Sequence, residues 1–174
     1  WKDKNNFSQE LQAYEQDRGG SLYRRSMYTF IRRTSPPPAM ILFDAPSRET
    51  CTVKREVTNT PLQALVLLND PQFIEAARVL AQHTLASKSE SVEDQVRKIF
   101  RNLTGRDAFD YELQAMRDLY DDARAEFDHS ADDARALLAI GDYPLDEALD
   151  VIDSAALTVV ANAVMSFDEF YMRR

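Results

Sequence analysis

The sequence predicts an all-α domain of six to eight helices with an irregular Pro-rich loop packed on one side. Apolar residues recur at spacings of three and four along most of the chain, as they do on one face of a helix. Capping signals stand at the starts of several of these segments. Three consecutive prolines, Pro36 to Pro38, interrupt the pattern, because proline fixes its own backbone and has no amide donor.

Length and composition limit the possible classes of protein. A chain of 174 residues suits one domain, so we predict a single helical domain over 1–174. It begins at Trp1 rather than Met, which leads us to expect a C-terminal fragment of a larger multidomain protein. No apolar run approaches 18 residues, which predicts no membrane span. One Cys and two His cannot build a Cys-rich zinc site, so we predict no metal and no cofactor in this chain.

Charge is divided unevenly along the sequence. Residues 1–87 carry 11 Lys/Arg and 9 Asp/Glu, whereas residues 88–174 carry 10 and 20. Nucleic-acid binding needs a broad positive surface, so the acidic second half predicts no nucleic-acid partner. The asymmetry suits either attraction between the two halves or an acidic face in water.

The first third of the chain has weak signals. Residues 5–17 carry one apolar stripe and predict a helix. Residues 21–34 suit a helix or a strand, and we favour the helix. Residues 39–59 are predicted to be irregular, with a turn at 44–47 and a short extended piece within 50–57. A long loop inside a compact domain is often functional or pinned by side-chain hydrogen bonds.

The remaining helices have clear boundaries. Thr60-Pro61 and Asp70-Pro71 each place a capping oxygen before a proline at the first helical position. Further helices are predicted from Ser91 to Gly105, over 110–129, over 131–140 and over 153–165, the last apolar enough to lie centrally in the core. Ser166 and Glu169 have the spacing of a capping box, which predicts a final turn.

Several of these segments together resemble one family. They are Phe43-Asp44-Ala45-Pro46, Cys51-Thr52-Val53, Thr58-Asn59-Thr60-Pro61-Leu62-Gln63, Leu68-Asn69-Asp70-Pro71, Leu103-Thr104-Gly105-Arg106 and Phe167-Asp168-Glu169-Phe170. The chain is similar, from about Arg18 onwards, to the planctomycete-specific C-terminal domain of unknown function, number 1553 in that series. The resemblance implies a large multidomain bacterial protein outside the cytoplasm (periplasmic or secreted), often with a cytochrome-c-like domain upstream. It implies no catalytic residue, and any haem would belong to upstream sequence.

The loop at 44–59 is the first candidate ligand-binding site. It gathers Asp44, Arg48, Cys51, Arg55 and Asn59. A cysteine near cations acquires nucleophilic character when its pKa falls, and Arg with Asn suits an anion or a sugar. The alternative is that Cys51 is a small buried residue and that the charged residues pair with each other to pin the loop.

A second candidate is a surface for anionic ligands. Basic residues alternate with aromatic ones over 18–33, the basic members being Arg18, Arg24, Arg25, Arg32 and Arg33, of which the last four form the candidate surface. This composition is typical of surfaces that bind nucleic acid or anionic polysaccharide. The alternative is that these arginines pair with acidic residues or upstream domains while the aromatics fill the core.

The acidic residues over 118–133 lack the spacing of a calcium-binding loop, so they predict a solvated face. His83 and His129 predict no shared site.

Two functional hypotheses follow, and whether the chain is an enzyme stays open. The first is a non-catalytic structural or interaction module whose partners are upstream domains of the same extracytoplasmic protein. The second is part of an enzyme or glycan-binding site that upstream domains complete, related to polysaccharides or to electron transfer. A deep pocket with exposed side chains of Asp44, Arg48, Arg55 and Asn59 would favour the second hypothesis.

Overall fold

The computed structural model describes residues 16–29, 31, 36–47, 50–54, 56–87 and 91–172. These ranges contain eight α-helices, two short 3-10 turns and no strand, so the predicted all-α class is confirmed. The chain divides into two compact units, residues 1–63 and 64–174, and each is described by itself. The helix predicted over 5–17 lies almost wholly outside the described residues.

The first unit begins with two 3-10 turns, Gly19–Ser21 and Ser26–Tyr28. The helix favoured over 21–34 is therefore wrong for its described part. Tyr23 and Met27, two members of the apolar stripe that suggested the helix, are exposed, and its third member, Phe30, lies outside the described residues. A short segment rich in aromatic residues has poor helix propensity, and it needs packing against other residues to stay helical.

The Pro-rich stretch contains a helix that the sequence did not predict. Helix α1, Pro38–Leu42, has a proline at its first position and extended backbone at Pro37. Proline suits the first helical position because that amide has no partner within a helix. The predicted irregular region thus begins with one helical turn and is irregular from Phe43 to Thr60 in its described residues. The extended piece predicted within 50–57 forms no strand there.

Helix α2, Pro61–Asn69, starts at the predicted Thr-Pro signal. The Gln63 side chain accepts a hydrogen bond from the Thr60 amide at 2.9 Å, and the Thr60 hydroxyl accepts one from the Gln63 amide at 3.4 Å. This reciprocal pair is a capping box, which satisfies two amides that the first turn of a helix leaves unbonded. The predicted cap is confirmed.

The second unit contains the remaining helices. They are α3 (Pro71–Ala86), α4 (Val92–Thr104), α5 (Asp110–His129), α6 (Ala131–Leu138), α7 (Val151–Met165) and α8 (Asp168–Tyr171). Asp70 caps α3 and Ser91 caps α4 through side-chain oxygens, as predicted. Gly105 ends α4 with φ of 76°, a left-handed conformation that glycine adopts without strain.

Helix α7 is the centre of the second unit, as the sequence predicted. It packs against α3, α4, α5, α6 and α8. Ten of its 15 residues are buried, and several of them are alanines. Small side chains let the neighbouring helices approach closely, and the buried apolar area stabilises the unit by about 25 cal/mol per Å². Beside it, Phe100 and Phe167 meet edge to face with ring centroids 5.9 Å apart.

The last helical turn starts one residue later than predicted. Phe167, not Ser166, is the N-cap of α8. The Ser166 hydroxyl donates to the carbonyl of Ala163 at 2.6 Å, so it satisfies the end of α7 instead. Because α7 and α8 are separated by so short a connection, the Ser166 hydroxyl could bond to the end of α7 or to the start of α8, and it bonds to the end of α7.

No helix in the described part of the chain combines the length and the apolarity that crossing a membrane requires.

Candidate functional site

The loop from Asp44 to Thr58 is closed by one carboxylate. Asp44 Oδ2 accepts a hydrogen bond from the Thr58 amide and another from the Thr58 hydroxyl, each at 2.8 Å. Asp44 has φ of 56°, a left-handed conformation that Asp tolerates better than most residues. Its backbone therefore turns the carboxylate back onto a residue 14 positions later. We call this pair of hydrogen bonds the Asp44 clamp.

A buried glutamine continues the clamp into helix α2. Gln63 is 1% exposed. Its amide nitrogen donates to the carbonyl of Leu42 at 2.7 Å and to the Thr58 hydroxyl at 3.1 Å. The Thr58 hydroxyl thus accepts from Gln63 and donates to Asp44. Buried amides are costly unless their hydrogen bonds are made, so this chain fixes the two ends of the loop relative to each other.

Sequence reasoning missed Gln63 as part of this group. The Thr-x-x-Gln spacing of a capping box was the signal that pointed to it. That spacing explains the bond between Gln63 and Thr60 but not the reach to Leu42, because that contact joins residues 21 positions apart.

The described loop residues 50–54 and 56–59 are exposed. Cys51 is exposed, so the alternative of a small buried cysteine is wrong. Val53 is fully exposed, Val57 is exposed, and Asn59 lies exposed beside Thr58. Arg48 and Arg55 lie outside the described residues, so the described structure brings together Asp44 and Thr58 but not the predicted cationic group. The loop candidate stays a prediction.

Half of the candidate surface for anionic ligands is described. Arg24 and Arg25 are exposed, as are the aromatic rings of Tyr23 and Tyr28. The alternative that these aromatics fill the core is therefore wrong for both tyrosines. Arg32 and Arg33 lie outside the described residues. The exposed part has the predicted alternation of basic and aromatic groups.

The acidic residues of α5 lie mainly on its outer face, as predicted. Asp118, Asp121 and Asp122 are exposed, and Asp118 accepts from Gln114 at 2.7 Å. Within the described ranges, no group of three or more His, Cys, Asp or Glu is placed to hold a metal ion. The two histidines are exposed on different helices, and His129 contacts the carbonyl of Ala125 through Nδ1.

The densest polar cluster of the second unit centres on Arg106, which the sequence did not single out. Its guanidinium binds Glu112 through two hydrogen bonds of 2.7 Å and Glu169 at 2.8 Å. It also lies over two rings, 4.9 Å from the centroid of Phe100 and 4.8 Å from that of Phe109. A planar guanidinium suits this combination of bidentate pairing and stacking. We call these five residues the Arg106 hub.

The hub alters the acidity of Glu112 and the basicity of Arg106. The Arg106 guanidinium holds the pKa of Glu112 below its ordinary value, and the Phe109 amide, which donates to Glu112 at 2.8 Å, acts in the same direction. Glu112 and Glu169 in turn raise the pKa of Arg106. Arg106 and Glu112 are therefore both charged at neutral pH, and the hub ties the start of α5 to α8.

A second buried polar group holds the connection between α6 and α7. Glu75 and Arg78 on α3 lie 3.8 Å apart and are both buried. Arg78 donates to the carbonyl of Tyr143 at 2.7 Å, and the Tyr143 amide donates to Glu75. Gly141 has φ of 95°, and a Cβ there would lie 2.5 Å from Cδ of Glu75. This glycine thus allows both the backbone turn and the close approach of the carboxylate.

A third group joins α5 to α7. Asp153 Oδ1 accepts from the Tyr120 hydroxyl at 3.0 Å and from Arg124 at 2.7 Å. Burial raises the pKa of Tyr120, and the hydrogen bond to Asp153 raises it further. The phenol therefore stays protonated and donates throughout the physiological range. Like the hub, this group connects helices.

Comparison with known proteins identifies the family. A family model described as PSD1, protein of unknown function (DUF1553), matches residues 2–120, and the chain belongs to this family. The resemblance read from the sequence is confirmed. Neither the curated proteins nor the solved structures contain a significant match to the chain. Asp44, Thr58, Gln63 and Arg106 all lie within the matched range.

Proposed function

We propose that this member of the PSD1 family is a non-catalytic interaction module of a larger extracytoplasmic protein. One observation carries the proposal: the carboxylate of Asp44, a member of the candidate ligand-binding loop, forms the Asp44 clamp with Thr58 at 2.8 Å. A catalytic carboxylate needs an oxygen directed at a reacting group within hydrogen-bond reach. Here Oδ2 is used to close a loop.

The clamped loop presents apolar side chains to the outside. Val53 and Val57 are both exposed, and the Asp44 clamp fixes the backbone that carries Val57. Burying a valine contributes about 1.5 kcal/mol or more, which corresponds to roughly a tenfold change in affinity. Backbone that is already held in place, as it is at Thr58, loses less entropy on binding than flexible backbone. Clamping and apolar display together support a docking role.

The partner that suits the proposal is an upstream domain of the same protein, in the periplasm or secreted. The family resemblance implies such domains and such a location. Contacts between domains of one chain commonly combine apolar and polar groups, as this loop does.

A second function has a specific observation in its favour. Arg24 and Arg25 are exposed among exposed tyrosines, which supports a surface for an anionic glycan. Binding of that kind is electrostatic and should weaken as salt rises. In this version the loop with Arg48 and Arg55 belongs to a binding or enzymatic site that upstream domains complete.

The test compares loop variants with a matched surface variant. Binding of the chain to the remainder of its parent protein is measured by calorimetry for Val53→Asp, Val57→Asp and the control Val151→Asp, which changes an exposed valine on α7. We expect each loop variant to weaken binding about tenfold or more and the control to leave it unchanged.

A panel of glycans and esters separates the two functions. The docking proposal predicts no turnover by the chain, alone or with the remainder of the protein, and no rise in Tm with any panel member. Turnover that Asp44→Asn abolishes while the fold is retained would overturn it in favour of the enzymatic version. A rise in Tm with an anionic glycan, lost in Arg24→Ala, would favour the glycan surface.

A further inference from the structure

Two aromatic rings lie side by side on the surface where helix α5 begins. Phe109 and Tyr111 have ring centroids 5.8 Å apart and ring planes within 10° of parallel. Phe109 is 56% exposed and Tyr111 is 71% exposed. Apolar rings of this size are usually buried, because removing them from water is favourable. An ordered pair left in solvent is a surface to which a partner can bind.

The Arg106 hub fixes this pair in position. The guanidinium of Arg106 lies 4.8 Å from the centroid of Phe109, and Glu112 and Glu169 hold that guanidinium in place. Tyr111 stacks on Phe109 in turn. Phe109 therefore contacts both the Arg106 guanidinium and Tyr111, and Tyr111 is the most exposed of the three. Its geometry is set before any partner arrives, which limits the entropy lost on binding.

The charges around the pair indicate the chemistry of the partner. Asp110 lies between the two aromatic residues in sequence and is exposed. Asp118 and Asp122 lie seven and eleven residues beyond Tyr111, so they fall on the same face of α5, and both are exposed. Seven residues of helix span about 10 Å along its axis. The face thus combines one exposed ring with carboxylates, a field that attracts cations and repels polyanions.

We propose that this face binds a basic peptide segment through an arginine that stacks on Tyr111. A guanidinium is planar and weakly hydrated, so it stacks on an aromatic ring better than an ammonium does. A second basic residue about three positions along an extended peptide would reach Asp118, because each extended residue spans about 3.3 Å. The surface belongs to the second unit and does not depend on the loop proposed above for docking.

The test uses two labelled peptides that differ only in the cation. Each peptide is nine residues long and has a basic residue at every third position, with Gly and Ser elsewhere. The basic residue is arginine in one peptide and lysine in the other. Fluorescence anisotropy with the whole chain at low salt gives the two affinities. We expect the arginine peptide to bind about threefold more tightly, which is the size of an exposed cation–π contact.

Variants assign that preference to the ring. Tyr111→Ala should reduce the ratio of the two affinities to about one, whereas Tyr143→Ala, which removes another exposed tyrosine beside an acidic residue, should leave the ratio unchanged. Equal affinities in the unaltered chain, or a preference that persists in Tyr111→Ala, would overturn the proposal. So would Tyr111-dependent binding of cellohexaose without binding of the arginine peptide, since that result assigns the rings to a saccharide. Val53→Asp should leave the preference intact, which separates this test from that of the loop.

Discussion

Replacing Arg106 by alanine should destabilise the second unit far more than replacing a neighbouring arginine. Arg106→Ala removes two hydrogen bonds of 2.7 Å to Glu112, the ion pair with Glu169 at 2.8 Å and contacts with two rings. Glu112 has a side chain only 10% exposed, so it would remain as a poorly hydrated charge. Breaking a fully buried pair costs about 3–5 kcal/mol and an exposed pair less than about 1 kcal/mol. The partly exposed hub should lie between, at about 2–4 kcal/mol.

The matched control is Arg101→Ala in the same region. Arg101 pairs with Asp107 at 2.9 Å, but these side chains are 68% and 66% exposed. Solvent screens such a pair, so we expect a loss below about 1 kcal/mol. Urea denaturation at neutral pH gives both free energies of unfolding. Arg106→Lys should be intermediate, because lysine keeps the charge but not the bidentate, stacked geometry.

The pH dependence tests the cause of this loss. Because Arg106 lowers the pKa of folded Glu112, the stability from their pairing is complete above the ordinary Glu pKa of about 4.3. It is lost as pH falls through the lower pKa of the folded state. The difference in unfolding free energy between the unaltered chain and Arg106→Ala should therefore shrink below about pH 4. Equal losses for Arg106→Ala and Arg101→Ala, or a difference that does not shrink below about pH 4, would contradict the role assigned to the Arg106–Glu112 pair.

Two further substitutions test the other polar groups. Gly141→Ala should lower the free energy of unfolding by about 2–4 kcal/mol in urea denaturation. The new Cβ would lie 2.5 Å from the buried side chain of Glu75, and alanine would have to adopt the positive φ of this position. Gly105→Ala, with positive φ but no atom within 4 Å, should cost only about 1 kcal/mol, and equal losses would contradict the packing argument. Tyr120→Phe should cost about 1 kcal/mol in the same assay by removing the bond to Asp153, and an unchanged midpoint would show that this bond contributes nothing.

Features encoded within one turn of helix were predictable from the sequence. The caps at Thr60, Asp70 and Ser91 depend on residues two or three positions apart, and each was predicted correctly. Gly105 ends its helix as predicted for the same reason. The apolar composition of α7 likewise predicted its central place, because a helix apolar on all sides must be buried.

Features that depend on distant residues could not be predicted. Arg106 meets Glu169, 63 positions later, and Glu75 meets Tyr143, 68 positions later. Local sequence patterns do not predict such distant contacts. Covariation between positions could predict them, but it cannot be obtained from a single sequence. The helix favoured over 21–34 is wrong in its described residues, where Tyr23 and Met27 are exposed. An apolar stripe keeps a short segment helical only where other residues bury it, and the periodicity of the sequence does not show whether they do.

The candidate loop shows both situations at once. Its length predicted either a functional role or pinning by side-chain hydrogen bonds, and the Asp44 clamp supplies such bonds between Asp44 and Thr58. The partner of Asp44 was not predictable, since charge suggested an arginine and the observed donors belong to Thr58. A threonine that donates through both amide and hydroxyl has no sequence signature at this distance.

Hydrogen–deuterium exchange of the Thr58 amide tests the central claim, that Asp44 is a structural clamp, most directly. If Asp44 is a structural clamp, the Thr58 amide should exchange roughly 3–10-fold faster in Asp44→Ala, because a hydrogen bond worth about 1 kcal/mol is lost. Asp44→Asn, which keeps one acceptor oxygen and tolerates the positive φ, should show a smaller increase. Asp121→Ala, an exposed change on α5, should show none. Unchanged exchange at Thr58 in Asp44→Ala would show that Asp44 does not clamp the loop, and would leave its carboxylate available for another role.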